Sequence, residues 1–228
     1  MHNKKYDWVL FDADETLFHF DIYQGLKLMF SRLGIDFSTH DFTVYQTLNK
    51  PLWVEYQNGT VTANELKQRR FQAWADKLST TTMALNSGFL TAMADTCALL
   101  PGAKDLLETL SGKAQMGIIT NGFTELQQVR LERTGVANYF EHVVISEQVG
   151  TAKPGKPIFE HTHQLINQPD KNRVLMVGDN LHSDILGGFD FGYDTCWLNP
   201  SETKPSDNIK PSYEIQSLVE LKSIVLGE

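Results

Sequence analysis

The sequence predicts an α/β protein: a doubly wound, mainly parallel sheet with an all-helical segment inserted after its first strand. Three observations predict it. Over residues 101–228, short apolar runs rich in β-formers alternate with helix-length amphipathic stretches, which is the rhythm of βαβ units. One run of the same kind, Tyr6 to Phe11, stands far ahead of the rest, and residues 18–100 in between contain no convincing strand. Polar residues then appear abruptly where the apolar runs end, which is where ligands sit in an open α/β sheet.

The first strand ends in Asp12-Ala13-Asp14-Glu15-Thr16. Ile22, Leu26, Met29, Phe30 and Leu33 then share a helical face, closed by Gly34. A second helix follows Thr39 on Phe42, Tyr45 and Leu48, and Pro51 reads as the first position of a new helix that Asn58-Gly59 ends. Thr62 with Glu65 forms a capping box that should launch a helix through about Leu78. A further helix runs from Met83 to about Cys97, and Pro101-Gly102 marks a boundary.

Beyond it, Ala103 to Leu110 is a short helix and Met116 to Thr120 a buried strand closed by Asn121-Gly122. Phe123 to Arg133 is helical up to Gly135, and His142 to Ser146 is the third strand. Lys156-Pro157 opens a helix to Ile166, and Arg173 to Val177 is the fourth strand, ended by Gly178-Asp179. Asp184 to Phe191 is helical, with Gly187-Gly188 suited to close packing, and Thr195 to Leu198 is the fifth strand. A Pro/Ser/Lys-rich loop precedes a last helix from Ser217, capped by Glu220. The division is therefore a core of residues 1–17 and 101–228 with a cap of residues 18–100. A free-standing helical domain is excluded by topology, because strand one precedes the block and the other strands follow it.

Composition narrows the function. The net charge is −8 with no basic stripe, which argues against binding a nucleic-acid backbone. There is no membrane-length apolar run and no signal-like segment. Cys97 and Cys196 have no metal-ligand spacing and read as thiols of a reducing compartment. A cytoplasmic location is expected.

Chemistry concentrates at the strand ends. Side chains alternate along a strand, so Asp12 and Asp14 leave on the same side if extension persists. Two such carboxylates raise each other's pKa unless a cation neutralises them, and hard divalent ions prefer oxygen ligands. Thr120-Asn121 ends strand two, Thr151-Ala152-Lys153-Pro154 lies beyond strand three, and Asp179 ends strand four with Asp184 five positions on. Singly, each is an ordinary turn former, loop charge or cap. In order, and all on one sheet edge, they form a constellation.

These residues resemble the haloacid-dehalogenase-like phosphohydrolase superfamily. Asp12-Ala13-Asp14-Glu15-Thr16 matches its Asp-x-Asp-x-Thr motif, Thr120 its second motif, Lys153 its third, and Gly178-Asp179 with Asp184 its fourth. The resemblance implies a Rossmann-like core with a cap. Glu15 departs from the pattern, since many members carry Gly there. A narrower, nearly end-to-end resemblance is to the pyrimidine 5′-nucleotidases (dUMP phosphatases) of that superfamily. It is carried by Asn49 to Gly59, Thr120 to Gly135 and Thr195 to Asn199.

The resemblance implies an enzyme that hydrolyses pyrimidine nucleoside monophosphates through an aspartyl phosphate. Asp12 would be the nucleophile and Asp14 the acid and base. Mg²⁺, or Mn²⁺ or another divalent cation in its place, would be held by Asp12, Asp179, Asp184 and the backbone carbonyl of Asp14. Thr120, Asn121 and Lys153 would bind the phosphoryl oxygens. Halide departs without a proton, so the second carboxylate favours phosphate esters over haloacids. Trp53 and Tyr56, with Phe18 and Phe20, are candidates to stack on the base, and Asn49, Lys50 and Gln57 to bond it. The rival readings are a phosphatase for a sugar phosphate or phosphoglycolate, a phospho-acceptor signalling module and an inactive binding protein.

Overall fold

A computed structural model describes residues 5–204 and 209–227. The expected loop after the fifth strand falls partly on residues 205–208, outside the described residues. In chain order the elements are β1 (Trp8–Phe11), β2 (Phe18–His19), α1 (Ile22–Arg32), α2 (Thr39–Gln57), α3 (Ala63–Arg69), α4 (Gln72–Leu78), α5 (Thr82–Thr96) and β3 (Ala98–Leu99). There follow α6 (Ala103–Leu110), β4 (Gln115–Thr120), α7 (Thr124–Thr134), β5 (His142–Ile145), α8 (Ser146–Val149) and α9 (Lys156–Leu165). The chain closes with β6 (Val174–Gly178), a π-helical turn (Leu181–Leu186), α10 (Gly187–Phe191), β7 (Asp194–Leu198), β8 (Tyr213–Ile215) and α11 (Leu221–Leu226).

Six strands form one parallel sheet in the order β5-β4-β1-β6-β7-β8. From β1 the chain winds outward through β4 and β5, then returns to β6 on the other side of β1. That reversal makes the carboxyl ends of β1 and β6 the switch point, where a crevice opens. Alternation along β1 feeds two cores. Val9 and Phe11 pack with α6 and α11, while Trp8 and Leu10 pack with α9 and α10. Gly187 and Gly188 make close packing possible: a Cβ would lie 2.7 Å from the Phe159 ring at the first and 3.0 Å from Thr195 at the second.

The helices α1 to α5 build a separate apolar cluster around Phe30, Phe37, Phe71 and Phe89. The chain enters and leaves it through β2 and β3, which pair antiparallel as Phe18↔Leu99 and His19↔Ala98. Leu100 also donates to the Leu17 carbonyl at 2.9 Å. The two connections are thus one ribbon, too short to show in a sequence pattern.

Four expectations are corrected. Pro51 does not begin a helix; it lies inside the continuous α2. It is exposed there, so water can take the carbonyl that proline leaves unbonded. The buried stripe of α2 is Tyr45, Asn49, Leu52 and Tyr56, not Leu48, which stays exposed. The helix launched by Thr62 breaks at Arg70-Phe71, and both side chains of the break turn inward. Finally the sheet has a sixth strand, β8, in the run Tyr213-Glu214-Ile215.

Candidate active site

The crevice collects the strand-end residues. Alternation carries Asp12 onto the α9 side of the sheet, where Lys153 reaches it from the loop before that helix. The Lys153 ammonium, 1% exposed, donates to Asp12 Oδ1 at 2.7 Å and to the Ile119 carbonyl at 2.6 Å, and pairs with Asp184 Oδ1 at 2.7 Å. Burial alone would pull its pKa down, but the two carboxylates outweigh that and push it up to about 12. Asn121 fixes the loop: its amide donates to the Lys153 carbonyl at 2.9 Å and its oxygen accepts the Lys153 N–H at 2.8 Å.

Asp179 follows β6 and is oriented by Thr16, whose hydroxyl donates to its carboxylate at 3.4 Å and accepts its N–H at 3.0 Å. Asp184 rides on the π-helical turn, which Asn180 begins by accepting the N–H groups of His182 and Ser183, each at 3.0 Å. Asp184 accepts from Asn180 N at 3.1 Å. Gly178 is required here, because a Cβ would come within 2.2 Å of Asp184 Oδ2. Asp12, Asp179 and Asp184 each present a carboxylate oxygen, all within 4.8 Å of one another. That donor set suits a hard divalent cation.

Burial first, then the charges on Asp12 and Asp184, raises Asp179 to about 8. Burial raises Asp184 to about 6, with Lys153 opposing and Asp12 adding. Both carboxyls therefore hold protons more tightly in the native than in the unfolded chain. Between the ordinary carboxylate range near pH 4 and about pH 8, the native state binds more protons, so stability of the metal-free protein falls as pH rises. A cation displaces those protons, so its binding tightens across the same window. Thermal melts in EDTA and in excess Mg²⁺ check this: the Mg²⁺-induced rise in Tm should be larger at pH 8 than at pH 5. A rise independent of pH would contradict it.

Asp14 stands apart from that trio. Arg130, buried on α7, bonds its Oδ1 and lies over the Phe18 ring at 4.4 Å. Burial raises the Asp14 pKa, Arg130 opposes, and Asp12 adds to the rise. Such a carboxyl is suited to carry a proton. Thr120, 1% exposed, accepts from Gly122 N at 3.0 Å. Arg130 and its partner Gln127, bonded at 2.5 Å, were not anticipated. Their signal was available: Leu126, Gln127, Arg130 and Leu131 fall on one helical face, so two polar residues occupy core-facing positions. Glu15 has φ +56°, the left-handed region where glycine is at ease. Its carboxylate accepts the Phe20 N–H and so ties the turn to the ribbon.

The cap candidates separate. Trp53 stacks on Phe123 of the core with centroids 5.3 Å apart and lines a narrow pocket that also contains Asp14, Phe20, Asn49 and Arg70. Tyr56 lies outside that pocket, because its hydroxyl bonds Ser146 at 2.7 Å. Gln57 lies beside it, Lys50 is exposed, and Phe18 is fully buried beneath Arg130. Lys67 of α3, itself buried, bonds Glu147 of α8 at 2.5 Å and stands over the Phe123 ring at 4.7 Å. These two polar ties join cap to core, as does the pair of Asp95 and Arg133.

A family model for haloacid dehalogenase-like hydrolase matches residues 6–192, so this chain belongs to that family and is a hydrolase. Among relatives, it is 51% identical over 221 residues, 97% of this chain and 98% of the other, to the pyrimidine 5′-nucleotidase YjjG of Escherichia coli K12. It is 32% identical to the pyrimidine 5′-nucleotidase PynA of Streptococcus pneumoniae, covering 95% of this chain and 93% of that one. The crystal structure of the HAD-hydrolase YfnB from Bacillus subtilis, bound to magnesium, superposes with a TM-score of 0.84 at 31% identity, covering 97% of this chain and 99% of that one. Among the described residues no helix is long and apolar enough to cross a membrane.

Proposed function

We propose that this hydrolase is a cation-dependent 5′-nucleotidase acting on pyrimidine nucleoside monophosphates, with residues 1–17 and 101–228 as its catalytic core and 18–100 as its cap. One observation carries the reading: Asp14 lines an aromatic pocket made with the cap, beside the clustered Asp12, Lys153, Asp179 and Asp184. The likeness to two pyrimidine 5′-nucleotidases along almost their whole length supports the substrate class. Two free cysteines fit the expected cytoplasmic setting.

An Asp12 oxygen attacks phosphorus, and the bond from phosphorus to the ester oxygen breaks on the opposite side. Asp14 hands its proton to the departing oxygen, which leaves as the nucleoside 5′-hydroxyl. Water then attacks the aspartyl phosphate; Asp14 takes back a proton, and phosphate leaves. Lys153, Thr120 and the Asn121 backbone N–H hold the phosphoryl oxygens. Arg130 keeps the Asp14 carboxyl aimed. Asp12, Asp179, Asp184 and the Asp14 carbonyl would hold a divalent cation, which supplies positive charge against the repulsion between phosphate and carboxylates.

A phosphomonoester panel tests the assignment. The expected result is a kcat/KM for dUMP at least about tenfold above those for dAMP, dGMP and sugar phosphates, the discrimination that pocket contacts ordinarily supply. Preference for a sugar phosphate or phosphoglycolate would overturn it.

A further inference from the structure

We propose that Arg70, backed by Asn86, reads the base: its guanidinium takes a ring carbonyl oxygen of a pyrimidine seated in the cap pocket. This rests on the nucleotidase reading and names the residue that would make it selective. Arg70 sits at the break between α3 and α4 and is 4% exposed, yet it forms no ion pair among the described residues. A buried cation without a counter-charge is costly unless something else meets it. Its carbon centre lies 5.1–5.2 Å from the rings of Phe71, Phe89 and Phe123. One arm bonds the Asn86 oxygen, which fixes its orientation.

Two buried donors remain without partners there, Arg70 Nε and Asn86 Nδ2. Buried donors are rarely left so. Both are donors only, so the missing partner must present acceptors. Arg70 lines the same pocket as Asp14, together with the rings of Trp53 and Phe123. Flat aromatic walls suit a flat ring, and a carbonyl oxygen on that ring suits the donors. The phosphate end of the same molecule then meets Asp12. An exocyclic amino group directed at Arg70 would set donor against donor.

The test compares dUMP with 2-deoxyribose 5-phosphate, the same ester without a base, in wild type, Arg70→Lys and Arg70→Met. Arg70→Met should lower the ratio of kcat/KM for dUMP over the base-free ester at least tenfold, mainly through KM. Arg70→Lys, which keeps a donor, should recover part of the ratio. An unchanged ratio overturns the assignment. A second measurement needs no variant. Wild type is assayed on the deoxynucleotides of 2-pyrimidinone and 4-pyrimidinone, each lacking one carbonyl of uracil. At least tenfold loss is expected on one of them, and full efficiency on both overturns the proposal. Failure to hydrolyse dUMP while another ester turns over would defeat the nucleotidase reading and this inference with it. Brisk dUMP hydrolysis with an unchanged ratio defeats only the role of Arg70.

Discussion

Replacing Asp12 with Asn should lower kcat by about 10⁴-fold or more while leaving a folded protein, as expected when a group of the reacting unit is lost. The amide has nearly the shape of the carboxylate but cannot form the acyl phosphate, so rapid acid quench should trap phosphoenzyme from wild type and none from the variant. The fold should tolerate the change. Asp12 is one of the charges that push Asp179 and Asp184 upward, so removing it eases the crowding even as Lys153 loses one of its two carboxylates. Melting in metal-free buffer at pH 8 should therefore move by no more than a few degrees. A variant with the wild-type rate, or one that still forms phosphoenzyme, would exclude Asp12 as the nucleophile.

Replacing Lys153 with Met should damage both stability and rate. The ammonium is the counter-charge to Asp12 and Asp184, at 2.7 Å from each, and is almost wholly buried. Taking one member from a buried ionic group strands the others, at a cost of about 3–5 kcal/mol. For a chain of this size each kcal/mol corresponds to roughly 2–4 °C in Tm. The expected fall in metal-free buffer is therefore some 6–20 °C, with part of it recovered by saturating Mg²⁺. The rate should fall about 10²–10³-fold even when the protein is folded, the usual loss when one preorganised group is withdrawn from developing charge. A Lys153→Met protein that melts with wild type would mean that the three carboxylates do not depend on that ammonium.

These residues were legible because each lies where a local signal is strong. An apolar strand that stops at a polar side chain is plain in one dimension, and Asp12, Thr120 and Asp179 all have that form. Asp184 and Lys153 needed only the sheet's topology to bring them close. What escaped depends on contacts that no local pattern encodes. Pro51 looks like a helix start because its ring forbids a bond within the helix, yet an exposed position makes that loss tolerable. β8 is three residues beside a proline-rich loop and exists because Cys196 to Leu198 offer an edge to pair with. Tyr56 and Trp53 are three residues apart on one helix, and only the partners they find decide that one joins the pocket and the other a tie to Ser146. Arg70 and Arg130 resemble surface charges until the helical period assigns them inward.

The tie between Lys67 and Glu147 has a consequence for how the enzyme chooses. Glu147 also accepts the N–H and hydroxyl of Thr124, the residue next to Phe123, which is both the platform under Trp53 and a neighbour of Arg70. Swinging α2 and α3 outward together would unfasten the ammonium, lift the indole off its platform and carry the arginine away in one movement. On the proposed reading, the surface that would meet the base is assembled only while cap and core stay together. A molecule that braced both halves would help hold them together, and discrimination would then be a matter of how long Asp12 and Asp14 stay covered.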